Sequence, residues 1–170
     1  GEDPAGCSPT SKLMDCLGGM SSLQLLNLAG RRITKRGTTA LVAALGRMEC
    51  LASLVLTRCA IRERDLLAIL AALRGRRITS LTLTGNIIVG EAATQLMATV
   101  RELPYLTSLK LASTRLRPES ALGLLESAGE CGMLEELDLS HSPDLFGVLV
   151  EAMLRTADAT AARAAADAAA

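Results

Sequence analysis

The chain has 170 residues, of which 49% are apolar and 1% aromatic, so its core must be built from aliphatic side chains and alanine. This composition excludes a disordered chain, which needs low hydropathy and an excess of charge. Its 18 basic and 18 acidic side chains cancel, and it has one tyrosine and one phenylalanine, which argues against nucleic-acid binding by bulk charge or by base stacking.

The first 22 residues are predicted to contain a loop and a short helix. Residues 1–9 are typical of an N-terminal loop, whereas Leu13 and Leu17 stand at helical spacing and predict a helix over residues 11–17. Neither a secretory signal nor a bilayer-spanning run is visible, and the five cysteines are odd in number and widely spaced. We therefore expect an intracellular protein, cytoplasmic or cytoskeletal, that is not secreted and has no membrane partner.

Five segments with the pattern L-x-x-L-x-L follow. Their central leucines are separated by 28, 27, 28 and 28 residues, with Ile78 in place of the first leucine of the third segment. Each segment predicts a short strand, and such regular spacing predicts a repeat architecture. The central leucines are Leu26, Leu54, Leu81, Leu109 and Leu137.

A helix is predicted after each strand. An apolar residue lies five positions after the last leucine of the first four segments and six positions after that of the fifth, at Leu145. Apolar residues then recur four apart, as at Leu41 and Leu45 or Ile69 and Leu73, which is a helical period. Since no single unit could bury its apolar stripe alone, the units must stack on one another.

This pattern resembles the leucine-rich-repeat family, in particular its ribonuclease-inhibitor-like class. The resemblance implies an α/β solenoid, a curved horseshoe segment of about five repeats of 27–28 residues, with a parallel β-sheet on the concave face and α-helices on the convex face. It covers residues 10–157: a half repeat at 10–22, then repeats that start near 23, 51, 78, 106 and 134. The composition of residues 158–170 predicts an alanine-rich helical tail.

In that family the position after the strand holds Asn or Cys, whose side chains bond the turns of stacked repeats. Cys59 and Asn86 fit this preference, whereas Arg31, Thr114 and Ser142 depart from it.

No residue set predicts catalysis, a metal site, a cofactor or a small-molecule substrate. Residues 85–90 have the glycine spacing of a phosphate loop but continue with Glu91 and Ala92 where Lys and Ser or Thr are required. The only histidine, His141, is better explained by a bulged turn than by a nucleophilic site, and no pair of cysteines has zinc spacing.

Three surfaces are candidates for protein binding. On the concave face we expect small, mostly neutral side chains, with Lys110 and Asp138 paired across neighbouring strands; the candidates there are Asn27, Val55, Thr82, Lys110, Asp138 and Glu136. A basic edge is predicted from turn residues: Arg31, Arg32, Arg36, Arg58 and Arg62. This edge either binds an acidic partner or is simply solvated, and the sequence leaves both interpretations open. A convex contact is predicted from small residues on the helices: Ala40, Ala43, Ala44, Leu67 and Ala71.

These features predict a non-catalytic protein–protein interaction module, a structural or scaffold subunit of a larger multi-subunit assembly whose partners are other proteins. Neither end of the array shows a polar cap, which favours this hypothesis. Families with this repeat include cytoskeletal and axonemal (ciliary) scaffold subunits, actin-capping proteins and innate-immune sensors. The alternative hypothesis is a regulator that acts on a partner enzyme, such as a small-GTPase activator or a ubiquitin-ligase adaptor.

Overall fold

The structure, a computed structural model, describes residues 19–142 and residue 147. The predicted helix over residues 11–17, the loop at 1–9, the tail at 158–170 and the apolar position Leu145 lie outside the described residues. Within the described part no helix is long and apolar enough to cross a membrane.

Five short strands form one parallel sheet in the order in which they occur in the chain. In every strand the central leucine pairs with the central leucine of the next strand, as predicted from the repeat. The central leucines of the first four strands are at most 5% exposed, whereas Leu137 is half-buried. The strands are β1 (Leu25–Asn27), β2 (Ser53–Val55), β3 (Ser80–Thr82), β4 (Ser108–Lys110) and β5 (Glu136–Asp138).

A helix connects each strand to the next, and consecutive helices pack side by side against the same side of the sheet. The helical spacing predicted from the sequence places Leu41, Leu45, Ile69 and Leu73 in the core, and all four are fully buried. The chain therefore has a leucine-rich-repeat-like fold of one sheet layer and one helix layer. The helices are α1 (Lys35–Arg47), α2 (Glu63–Leu73), α3 (Gly90–Arg101) and α4 (Pro118–Cys131).

Buried polar side chains join the turns of neighbouring repeats. The Asn86 amide nitrogen donates to the carbonyls of Leu56 and Leu83 at 2.7 and 2.8 Å, and its oxygen accepts from the Cys59 N–H at 3.1 Å. The Cys59 thiol lies 3.1 Å from the Leu28 carbonyl, and burial raises the pKa of this thiol, which keeps it a protonated donor at neutral pH. Cys59 and Asn86 therefore have the bonding expected of the family.

Thr114 occupies the equivalent position of the fourth repeat, but its side chain bonds within its own repeat rather than to a neighbouring one. It is fully buried, and its hydroxyl donates to the Leu111 carbonyl at 2.7 Å. In contrast, the side chain of Arg31 at the equivalent position is exposed, in agreement with its departure from the pattern.

One position in every turn adopts a left-handed backbone. It lies four residues after the central leucine, where glycine relieves the steric cost of a positive φ in the first and third repeats. In the other three repeats a residue with a side chain takes this conformation. The φ values are +70° at Gly30, +50° at Arg58, +72° at Gly85, +57° at Ser113 and +56° at His141.

We expect Gly30→Ala to lower the free energy of unfolding by about 1 kcal/mol, because a Cβ at this positive φ is strained. The space around Gly30 is open, so backbone strain alone is tested. The control is Gly46→Ala in α1, where the space is also open; it should raise the free energy by about 0.5 kcal/mol. Urea unfolding followed by circular dichroism measures both, and a loss of stability in the Gly46 variant equal to that at Gly30 would contradict the assignment.

We expect Asn86→Ala to lower the free energy of unfolding by about 3 kcal/mol, because the substitution leaves a buried N–H and two buried carbonyls without their partner. Thr114→Ala at the equivalent position removes one hydrogen bond and should cost about 1 kcal/mol. The same urea experiment compares the two, and similar losses would show that Asn86 does not join the turns as described.

Candidate functional site

The exposed side of the sheet, which we call the open sheet face, carries the first and third residues of each strand. All ten side chains are exposed or half-buried, and most of them are small and neutral. The register places the predicted central row, Asn27, Val55, Thr82, Lys110 and Asp138, on neighbouring strands in that order. The row is therefore arranged as the sequence predicted.

The charged end of this face differs from the prediction. Lys110 pairs with Glu136 at 2.9 Å, not with Asp138. The Asp138 carboxylate instead accepts the Ser140 N–H at 2.9 Å, which turns it toward its own backbone and lowers its pKa. Glu136 also accepts from the Ser108 hydroxyl at 2.7 Å. Lys110 and then Ser108 lower the pKa of Glu136, so this carboxylate is bound within the sheet.

Asn27 is also engaged locally, since its side-chain oxygen accepts the Ala29 N–H at 3.0 Å. Leu25, the first residue of β1, is 57% exposed. The open sheet face thus offers few polar groups that are free to bind a partner.

The helix layer exposes some residues of the predicted convex contact and buries another. Ala43 and Ala71 are exposed, as a contact surface requires. Ala40 and Leu67 are half-buried and pack against the core. Ala44 is fully buried, so its prediction as a contact residue was wrong: it lies on the face of α1 that carries Leu41 and Leu45.

All five predicted basic-edge arginines are exposed. They lie where each strand leads into the following helix, and since the strands are parallel, these turns meet at one edge of the sheet. We call it the strand-to-helix edge. Within the described part of the chain, the guanidinium groups of Arg31, Arg32, Arg58 and Arg62 have no ion pair or hydrogen bond. Arg36 has an interaction partner.

The arginines of the opposite edge, between helix and next strand, are used internally. Arg74 pairs with Glu102 at 3.3 Å, and Arg77 lies 5.0 Å from the ring centre of Tyr105. Arg76 donates to Ala72 at the end of α2 and to Gly46 and Met48 at the end of α1. Among the described residues, only the structure separates the arginines that have internal partners from those that have none.

A groove of about 500 Å³ opens on the strand-to-helix edge between the second and third repeats. Ile61, Ile87 and Val89 give it an apolar surface, and Arg58 and Arg62 line it as well. Sequence reasoning missed Ile87 and Val89. A comparison of equivalent positions would have identified Ile87, because the first and fourth repeats have arginine in its place.

The glycine pair of residues 85–90 does not form a phosphate site. The Glu63 carboxylate accepts the Glu91 N–H at 3.1 Å, and it would lie 2.8 Å from a Cβ placed on Gly90. A carboxylate therefore occupies the start of α3, where a phosphate would have to bind. Within the described residues no group of three or more His, Cys, Asp and Glu side chains could hold a metal ion.

His141 lies in an exposed turn with a left-handed backbone, and its Nδ1 is 3.1 Å from the Ser140 hydroxyl. The two residues are adjacent in the chain. His141 takes the same left-handed turn position as Gly30, Arg58, Gly85 and Ser113, and the rest of the predicted bulged turn lies outside the described residues.

No protein-family model matches the sequence, and no curated protein matches it. Solved structures do match. The tropomodulin C-terminal domain from Caenorhabditis elegans is 15% identical, with 94% of this chain and 99% of that chain covered at a TM-score of 0.68. Actin-binding site 2 of leiomodin-1 is 16% identical, with 95% and 97% covered at a TM-score of 0.70. At these identities the likeness shows the fold.

Lys110→Met should raise the pKa of Glu136 toward the ordinary value for glutamate, because the substitution removes the main group that lowers it. A lowered pKa means that the pair stabilises the fold above the ordinary glutamate pKa and loses this effect as the pH falls through the folded-state value. Carboxyl ¹³C NMR titration measures the shift. The control, Arg101→Met, removes the separate pair with Glu130 and should leave Glu136 unchanged; an equal change there would refute the assignment.

Proposed function

We propose that this chain is a non-catalytic protein-interaction module of the cytoskeleton and that actin is its partner. The observation that carries the proposal is the likeness to actin-binding site 2 of leiomodin-1, which extends over 95% of this chain and 97% of that one. The tropomodulin domain matches over a similar span. Because a shared fold does not establish a shared function, the surface chemistry must support the proposal separately.

The surface supports binding to a protein. The strand-to-helix edge exposes several arginines that have no partner among the described residues, and arginine is enriched at the energetically important positions of interfaces. The groove beside them is largely aliphatic, and its only carboxylate, that of Glu63, already binds the backbone of α3. This arrangement suits recognition of a protein surface better than catalysis, which requires a nucleophile or base positioned beside a stabilising group.

The finer features of the fold belong to the same proposal. Repeats of 27–28 residues, each with a helix of 11 to 14 residues, support a ribonuclease-inhibitor-like solenoid with the sheet on the inner, concave side. A scaffold role within a multi-subunit cytoskeletal assembly would use more than one face. Ala43 and Ala71, which are small and exposed, support a second contact on the helix layer.

The alternative is a regulator of a partner enzyme, such as a small-GTPase activator or a ubiquitin-ligase adaptor. The exposed row of Arg31, Arg32, Arg58 and Arg62 favours it, because such a regulator would present charged edge residues to its partner. The structural likeness favours actin.

The purified chain should bind fluorescently labelled monomeric actin in an anisotropy titration or should cosediment with actin filaments. The double variant Arg58→Glu with Arg62→Glu should weaken binding at least about tenfold, because it reverses two exposed charges at an interface edge. Absence of binding to both monomeric and filamentous actin would refute actin as the partner and leave the regulatory alternative.

Two matched double variants test the other faces. Leu25→Arg with Thr82→Arg alters the open sheet face, and Ala43→Arg with Ala71→Arg alters the helix layer. Each pair is exposed or half-buried, so the fold should be retained, as circular dichroism can verify. We expect both variants to bind actin almost as well as the unmodified chain. If only one of them loses actin binding, the actin contact lies on the face that this variant alters.

A further inference from the structure

The groove is formed where the third repeat departs from its neighbours. Six residues after the central leucine, the first four repeats have arginine, alanine, isoleucine and arginine in turn. Eight residues after it, they have threonine, arginine, valine and arginine. The third repeat thus places two aliphatic residues between arginines on both sides. In repeat order the residues are Arg32, Ala60, Ile87 and Arg115, then Thr34, Arg62, Val89 and Arg117.

The turns that carry these residues are in direct contact. The Ile88 N–H donates to the Thr114 carbonyl, and the Gly85 N–H donates to the Ala112 carbonyl, both at 2.8 Å. Arg115 and Arg117 therefore belong to the turn beside Ile87. Both arginines are exposed and have no partner among the described residues, while Ile87 is 53% exposed.

Arg58 is held over the groove at a conformational cost. Its backbone is left-handed, in a position where the first and third repeats have glycine, and no side chain within the described residues compensates its charge. Its Cγ lies only 2.6 Å from the point that a Cβ on Gly85 would occupy. The side chain thus crosses the third turn where glycine leaves room for it.

The electrostatic environment favours an anionic ligand. All four helices begin at this edge, so the positive ends of their dipoles lie on the same side as the arginines. The groove itself contains the two guanidinium groups of Arg58 and Arg62 and one carboxylate, Glu63, which is bound to the Glu91 N–H. Glu91 adds a further exposed carboxylate at the start of α3.

We propose that this groove binds an acidic segment of a partner protein that inserts one aliphatic side chain between Ile87 and Val89 while its carboxylates pair with the flanking arginines. The aliphatic centre of the groove favours such a segment over a single-stranded nucleic acid, whose bases stack on aromatic side chains. The proposal rests on the protein-interaction role proposed above but does not require the partner to be actin.

The test uses a fluorescein-labelled acidic peptide with a single central leucine and the same peptide with serine in place of leucine, each titrated with the full chain. We expect the leucine peptide to bind about tenfold more tightly than the serine peptide, and its affinity to fall as salt is added. Ile87→Ser should abolish this preference for leucine. Since Ile87 is more than half exposed, the variant should fold normally.

The double variant Arg58→Glu with Arg62→Glu should weaken peptide binding at least about tenfold, because both charges face the ligand. Its control, Arg47→Glu with Arg77→Glu, makes the same change in net charge away from the groove and should have little effect. Arg58→Lys should keep most of the affinity, which shows that a positive charge, rather than correct folding alone, is what Arg58→Glu removes.

Three outcomes would overturn the proposal: equal binding of the leucine and serine peptides, an equal loss in the control double variant, or displacement of the peptide by a single-stranded oligonucleotide of equal charge as readily as by the unlabelled peptide. If the peptide experiments give one of these outcomes while the chain still binds actin, the groove does not bind an acidic segment, and the proposed function is unaffected. If the chain binds the peptide but not actin, actin is not its partner, and the proposed binding of an acidic segment by the groove still stands.

Discussion

The central leucines of the first four strands are buried because a neighbouring repeat covers them. The strands are only three residues long, so each gains most of its hydrogen bonds and its apolar contacts from the adjacent repeats. This dependence fixes the register, since a shift by one residue would move the leucines to the exposed side. It also aligns equivalent turn positions along one edge, and the properties of that edge follow from which residue each repeat places there.

The order of the repeats therefore determines the surface chemistry. One turn position must be left-handed, and glycine at Gly30 and Gly85 meets that requirement at little steric cost. Where a repeat has arginine instead, the same backbone requirement aims a long cationic side chain across the next turn, as at Arg58. A glycine in one repeat and an arginine in the preceding one thus act as a pair, and neither could be exchanged without changing the groove.

The sequence predicted the strands, their register and most of the core, because the leucine spacing repeats five times and burial depends on that spacing. It did not predict that Ala44 is buried or that Lys110 pairs with Glu136, since both depend on side-chain directions that a residue pattern does not specify. The basic edge was visible as a cluster of arginines. Which of these arginines lack partners depends on contacts between repeats, such as those of Arg74 and Arg77, and only the structure shows them.

Arg76 connects the first and second repeats, and this connection affects how their helices unfold locally. Its guanidinium bonds the last carbonyl groups of α1 and α2 together, so fraying of one helix end removes a hydrogen-bond partner from the other. In a linear array whose stability is a sum over neighbouring contacts, such a shared set of hydrogen bonds couples the local opening of α1 to that of α2. The second of these repeats carries Arg58 and Arg62, so one wall of the groove belongs to a part of the array that is joined to its neighbour.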